Sequence, residues 1–105
     1  MYLERSIGFN FYIMLSQIPI NLEKVKKEDL DKEILRVGMF SELDAINLYE
    51  QLASSVANDD VKKVLLDIVR EEKTHVGEFQ ALLLKLDEDQ LKELDEGRKE
   101  VEIIL

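Results

Sequence analysis

The segment Ala57-Asn58-Asp59-Asp60 divides two long stretches that carry apolar residues at helical spacing, and that arrangement leaves the chain few ways to fold. Upstream, between about residues 28 and 57, the series is Leu35, Met39, Ile46, Tyr49 and Ala53. Downstream, within 59–86, it is Leu65, Ile68, Val69, Val76, Phe79 and Leu83. Each series falls on one face of an α-helix. Asn58 is a favoured N-cap, and Asp59 and Asp60 put negative charge in a first turn, where the helix dipole stabilises it. A break this short between two long amphipathic helices makes them antiparallel neighbours. Asp87-Glu88-Asp89-Gln90 reads as a capping box, with Asp87 as N-cap and Gln90 reaching back, and starts a shorter helix interrupted at Gly97. No alternating β-branched run or Asn-Gly hairpin signal competes with helix, and the one proline, Pro19, lies upstream. The expected fold is all-α: an antiparallel two-helix hairpin over 28–86 and a short C-terminal helix over 87–105. An N-terminal arm over 1–27, flexible or extended, precedes them. The apolar tip Val101-Glu102-Ile103-Ile104-Leu105 is expected to pack on something.

The arm holds no membrane span. Its longest apolar run, Phe11 to Leu15, is far short of the roughly 20 residues a span needs, and no Ala-x-Ala cleavage signature marks a secretory signal. Met14 is an alternative start of the chain. The sequence has no cysteine, which removes disulfides and thiolate metal sites and suits a reducing cytoplasm. It carries 23 Asp and Glu against 14 Lys and Arg, a net charge of −9. Nucleic-acid binding needs clustered cations and is not expected; attraction of cations is allowed by this balance without being required by it.

Each apolar stripe contains one residue that does not belong there. Glu42 sits among Leu35, Met39, Ile46 and Tyr49, and Glu72 among Leu65, Ile68 and Phe79, at matching spacing. An ionised carboxylate buried without a partner costs several kcal/mol or more, so such groups are paired or bind metal. Glu72 also opens Glu72-x-x-His75, and residues three apart on a helix point the same way. With the turn centred near Asn58, Glu42 lies sixteen residues before it and Glu72 and His75 fourteen and seventeen after it. Equal rise per residue in antiparallel helices then puts all three at one height. Glu71, whose neighbours on its face include Asp67, is expected to face solvent. Tyr49, two turns after Glu42, either hydrogen-bonds a ligating carboxylate or is a half-buried core tyrosine. For the three ligands themselves the plain alternative is a buried Glu–His–Lys polar cluster that fixes helix register.

In four-helix carboxylate proteins a di-metal centre takes Glu-x-x-His from each of two helices and a lone Glu from each of two others. This hairpin holds half of that set and one histidine in all. A two-fold homodimer would duplicate every ligand across its axis and complete a four-helix bundle. Two carboxylates and an imidazole suit iron or manganese, and zinc accepts the same donors.

The stretches SELDAINLYEQLA (41–53) and VLLDIVREEKTHVGEFQALLLKLD (64–87) resemble the encapsulated ferritin-like proteins, relatives of ferritin and rubrerythrin. The resemblance covers roughly residues 28–96. It implies a two-helix protomer whose dimer builds a di-iron ferroxidase centre, with Glu42, Glu72 and His75 as iron ligands and Tyr49 beside them. It also implies a ring of five dimers, a decamer, working inside an encapsulin shell. Two places depart from the pattern. Ser41 and Asp44 stand where some relatives have acidic residues of a metal-uptake site, and GRKEVEIIL is a poor version of a shell-targeting tail. The expected function is oxidation of Fe(II) by O2 for iron storage or detoxification. Its rivals are a rubrerythrin-like peroxide reductase, which would need an electron donor such as a cysteine-bound rubredoxin-like site, and a non-catalytic helical oligomerisation or adaptor module.

Overall fold

The computed structural model describes residues 21–105, so residues 1–20 of the expected arm over 1–27, Met14 included, lie outside the described residues. Residues 22–24 and 27–29 form two short 3-10 turns, the second packed against the start of the first long helix. Three α-helices follow: α1 (Leu30–Ser55), α2 (Asp59–Leu86) and α3 (Glu88–Ile104). No strand occurs among the described residues, and α1 and α2 pack along their length as an antiparallel hairpin. None of these helices is long and apolar enough to cross a membrane.

The caps form where the sequence puts them. Asn58 Oδ1 accepts from the backbone N–H groups of Asp60 and Val61, at 2.9 and 3.0 Å, which satisfies two of the donors that a helix start leaves open. Asp87 Oδ1 accepts from Gln90 N at 3.0 Å. The other half of the expected capping box, Gln90 reaching back, is not formed; Gln90 instead lines a groove with Arg36, Phe40, Leu43 and Leu94. Asp87 also pairs with Arg36 of α1 at 3.1 Å, so one side chain both starts α3 and ties it to the hairpin. Its carboxyl is held below the ordinary carboxylate range, first by the Gln90 amide and then by Arg36.

One expectation is corrected in α3. The helix runs through Gly97 without a break. A glycine in a helix interior costs only about 1 kcal/mol relative to alanine, and here it is flanked by helix-spanning ion pairs of Arg98 with Asp95 and Glu102 and of Lys99 with Asp95. The apolar tip is open among the described residues, with Leu105 97% exposed and Ile103 and Ile104 nearly as much, so the surface it is expected to pack on is not among them.

A single hairpin cannot close a core. Among the described residues only Ile46, Ala53, Val69 and Leu83 are buried, and all four lie on the two stripes. The radius of gyration is 17.2 Å, against about 13 Å for a compact chain of 100 residues. Much of the apolar surface therefore lies open along both flanks of the hairpin, and that openness shapes the site.

Candidate metal centre

Glu42 projects from the middle of α1, and Glu72 and His75 from the middle of α2, on the faces the two helices turn toward each other. The chain brings together what the equal-height argument requires. His75 Nδ1 donates to Glu42 Oε2 at 2.8 Å and lies 3.8 Å from Glu72 Oε2. One ligand atom from each of the three residues lies within 4.8 Å of the other two, and no other such cluster of acidic, histidine or cysteine side chains occurs among the described residues. The two carboxylates are sunk in the seam, with side chains 19% and 17% exposed, whereas the imidazole is 44% exposed. The cluster is therefore walled by the hairpin on one side and open on the His75 side.

The crowding of these side chains favours the protonated forms of Glu72 and His75. The Glu72 carboxyl is pushed above its ordinary value, first by its hydrogen bond to Glu42, then by burial and by the Glu42 charge. His75 is pushed up as well, chiefly by its hydrogen bond to Glu42. The two carboxylates repel each other across the seam, and a divalent cation bound between them would relieve that repulsion. Two carboxylates with one imidazole form a hard, nitrogen-and-oxygen donor set that suits iron, manganese or zinc, so the residues fit such an ion.

These raised values have a measurable consequence. Both groups have raised values in the folded chain, so the stability they contribute is present below their ordinary values, 4.5 and 6.5, and is lost as pH climbs through the raised ones. Asp87 and Asp95, both lowered from 3.8, titrate at more acid pH and leave this window clear. The thermal midpoint of metal-free protein is expected to fall between about pH 5 and about pH 8. The Glu72→Gln/His75→Gln variant is expected to flatten that slope. A midpoint that rises over the interval would contradict the assignment.

The remaining candidates are placed as follows. Glu71 is exposed, as expected. Tyr49 is half-buried two turns further along α1 and is not in the three-residue cluster. Ser41 is exposed and Asp44 half-buried. One neighbour escaped the sequence reading. Gly38, one turn before Glu42, lies against the ring of Phe79, one turn after His75. A glycine inside a strong helical pattern was the available signal, because such a residue needs a packing reason.

The comparisons with known proteins agree with this geometry. The sequence model of the rubrerythrin family matches residues 33–103. A "Ferritin-like-encapsulin shell fusion protein" of Pyrococcus furiosus is 53% identical over 90 residues, 84% of this chain and 26% of that protein. The "Encapsulin nanocompartment cargo protein EncC" of Myxococcus xanthus is 33% identical over 70 residues, 67% of this chain and 54% of that protein. The chain thus spans about a quarter and about half of these relatives. Among solved structures, the encapsulated ferritin domain from Pyrococcus furiosus matches with a TM-score of 0.71 and 53% identity, covering 83% of this chain and 91% of that one. The family model over most of the chain, with this structural match, shows that the chain belongs to the rubrerythrin family and has its ferritin-like fold.

Proposed function

We propose that this chain is a ferroxidase that oxidises Fe(II) with O2 at a di-iron site shared by two copies of itself. The observation that carries the reading is the convergence of Glu42, Glu72 and His75, with all three ligand atoms within 4.8 Å and the imidazole edge open. Half of a di-metal ligand set is present, and the open side is where the second half has to arrive.

The flanks of the hairpin support a dimer on that side. By helical spacing, Ile34, Ala45 and Leu52 share one flank of α1, and Val64, Ile68, His75, Leu82 and Leu86 share one flank of α2. In antiparallel helices these two flanks form one surface, on which Ile34, Leu52, Val64, Leu82 and Leu86 are all exposed. Covering it with its two-fold mate would bury apolar area and bring a second Glu42, Glu72 and His75 to the first.

In this arrangement Glu42 and Glu72 supply carboxylate oxygens and His75 supplies Nδ1, the atom it already turns toward both acids. Fe(II) competes with protons for these donors. Met39, Ile46, Ile68 and Val76, on the same stripes, limit access of bulk water. The substrate supplies the redox chemistry: two Fe(II) give up one electron each, and O2 takes both with two protons. Tyr49, on the same stripe as Glu42, is placed to orient a carboxylate of the assembled site. Manganese or zinc would compete for the same donors without this turnover.

The names of the two relatives, a shell fusion protein and a nanocompartment cargo protein, support an encapsulin shell as partner and a cytoplasmic nanocompartment as location. A ring of five dimers follows from the family resemblance. Mixing the protein with Fe(II) in air tests the activity. Oxidation well above the buffer rate is expected, and a rate equal to buffer would contradict it. The rubrerythrin match favours one second reading, peroxide reduction, which faster turnover with hydrogen peroxide and a reductant than with O2 would establish.

A further inference from the structure

Gly38 sits inside a 26-residue helix, where glycine is less favourable than alanine and calls for a compensating reason. The reason is a close approach. A Cβ built on Gly38 would lie 3.0 Å from Phe79 Cζ and 3.1 Å from both Cε atoms, so the tip of the ring is pressed against the α1 backbone. Gly77 and Gly97 have nothing within 4 Å of the equivalent point, so this close approach is specific to Gly38 among the three. Gly38 lies four residues before Glu42, and Phe79 lies four after His75 and seven after Glu72. In an antiparallel pair both are therefore one turn from the acid cluster, at the same end of it.

We propose that Gly38 is a positioning residue whose missing side chain lets Phe79 seat against α1 and so fixes the spacing across which Glu42 meets Glu72 and His75. The inference rests on the metal reading of that cluster. The ring acts as a spacer of set length. With no side chain opposite, α1 and α2 come close enough for one ligand from each helix to reach the same point. A methyl group at Gly38 would have to displace the ring or the helix by a few tenths of an ångström, and the three donors would no longer converge as they do. Packed interiors pass on such displacements rather than absorbing them.

Cobalt(II), which binds nitrogen and oxygen donors and is stable in air, is the probe. Titrations of the unaltered protein, Gly38→Ala, Phe79→Leu and the double variant would be followed by the visible absorption of bound cobalt, with helix content measured by circular dichroism. Gly38→Ala is expected to keep its helix content and bind cobalt about ten- to a hundredfold more weakly, the range for losing support of a ligand. Phe79→Leu, which lacks the ring atoms nearest Gly38, is expected to bind more weakly too. The double variant should recover affinity and absorption toward those of the unaltered chain, because the shorter side chain makes room for the methyl group. Gly38→Ala binding as tightly as the unaltered protein would overturn the proposal. So would losses that simply add in the double variant, since independent packing defects add and coupled ones do not. Should Gly38→Ala not fold, Phe79→Leu decides: unchanged affinity overturns the proposal, and a loss with an altered absorption supports it. No cobalt binding by the unaltered chain would instead overturn the metal reading, and this proposal with it.

Discussion

Glu72→Gln is expected to abolish the iron oxidation and, in the same protein, to raise the thermal stability of the metal-free form at about pH 8. The loss follows from geometry. Glu72 provides one of three donors lying within 4.8 Å of one another, and an amide is a poor ligand for a hard cation. Even residues that only support a ligand are worth about ten- to a hundredfold in metal affinity or activity, so removal of a ligand itself should bring the rate down by more than about a hundredfold, to that of buffer. The stability gain follows from electrostatics. Glu72 is pushed above its ordinary value by its hydrogen bond to Glu42, by burial and by the Glu42 charge, which means that its ionised form is disfavoured in the folded chain. Glutamine keeps a donor for Glu42 without the charge. An acid retained at a net cost to the fold is the pattern of a functional residue. If the Glu–His cluster served only to fix helix register, the same substitution would leave iron oxidation untouched, there being none. Oxidation kinetics and a thermal melt on one sample therefore separate the two.

Divalent metal is expected to stabilise the protein by an amount that depends on protein concentration. A ligand at about 100 times its Kd adds about 2.7 kcal/mol to a folded state that alone binds it. For a domain of this size each kcal/mol moves the thermal midpoint by about 4–8 °C, so saturation with Fe(II) under nitrogen, or with Co(II) in air, should raise it by about 10–20 °C. Because the second half of the ligand set comes from another copy, the midpoint should also rise as the protein is concentrated, and chelation should reverse both effects. The isolated hairpin makes this expectation strong. Among the described residues only four are buried, while Ile34, Leu52, Val64, Leu82 and Leu86 stand open beside His75. Metal and partner together would cover that surface. A midpoint indifferent to metal would leave the exposed flank with some other use and favour the adaptor reading.

Most of the site was legible in the sequence because a helix converts spacing into angle and height. The positions of Glu42, Glu72 and His75 on their stripes, with a turn centred at Asn58, were enough to place three side chains at one level, and a 2.8 Å hydrogen bond joins two of them. The caps at Asn58 and Asp87 were legible for a similar reason, since a cap is a contact between near neighbours in the chain. What escaped is whatever depends on the distance between helices or on pairing remote in sequence. The Arg36–Asp87 bridge joins residues 51 apart and follows no period. The seat of Phe79 on Gly38 is a sideways contact, and periodicity gives no lateral separation. At Gly97 a local helix penalty was given more weight than the ion pairs that hold α3 together around it. The apolar tip at Ile103–Leu105 follows the same logic: hydrophobic character indicates a need for burial, but not on which molecule the burial occurs.

An anaerobic titration with Fe(II), read together with the molecular mass in solution, bears most directly on the claim that cations joining two copies hold the half-buried acids in place. Saturation at about one ion per chain, two per dimer, with dimeric or larger particles throughout the loaded state, is the predicted result. Loaded protein that remains monomeric, or a chain that takes up no iron while Glu42, Glu72 and His75 are intact, would contradict it.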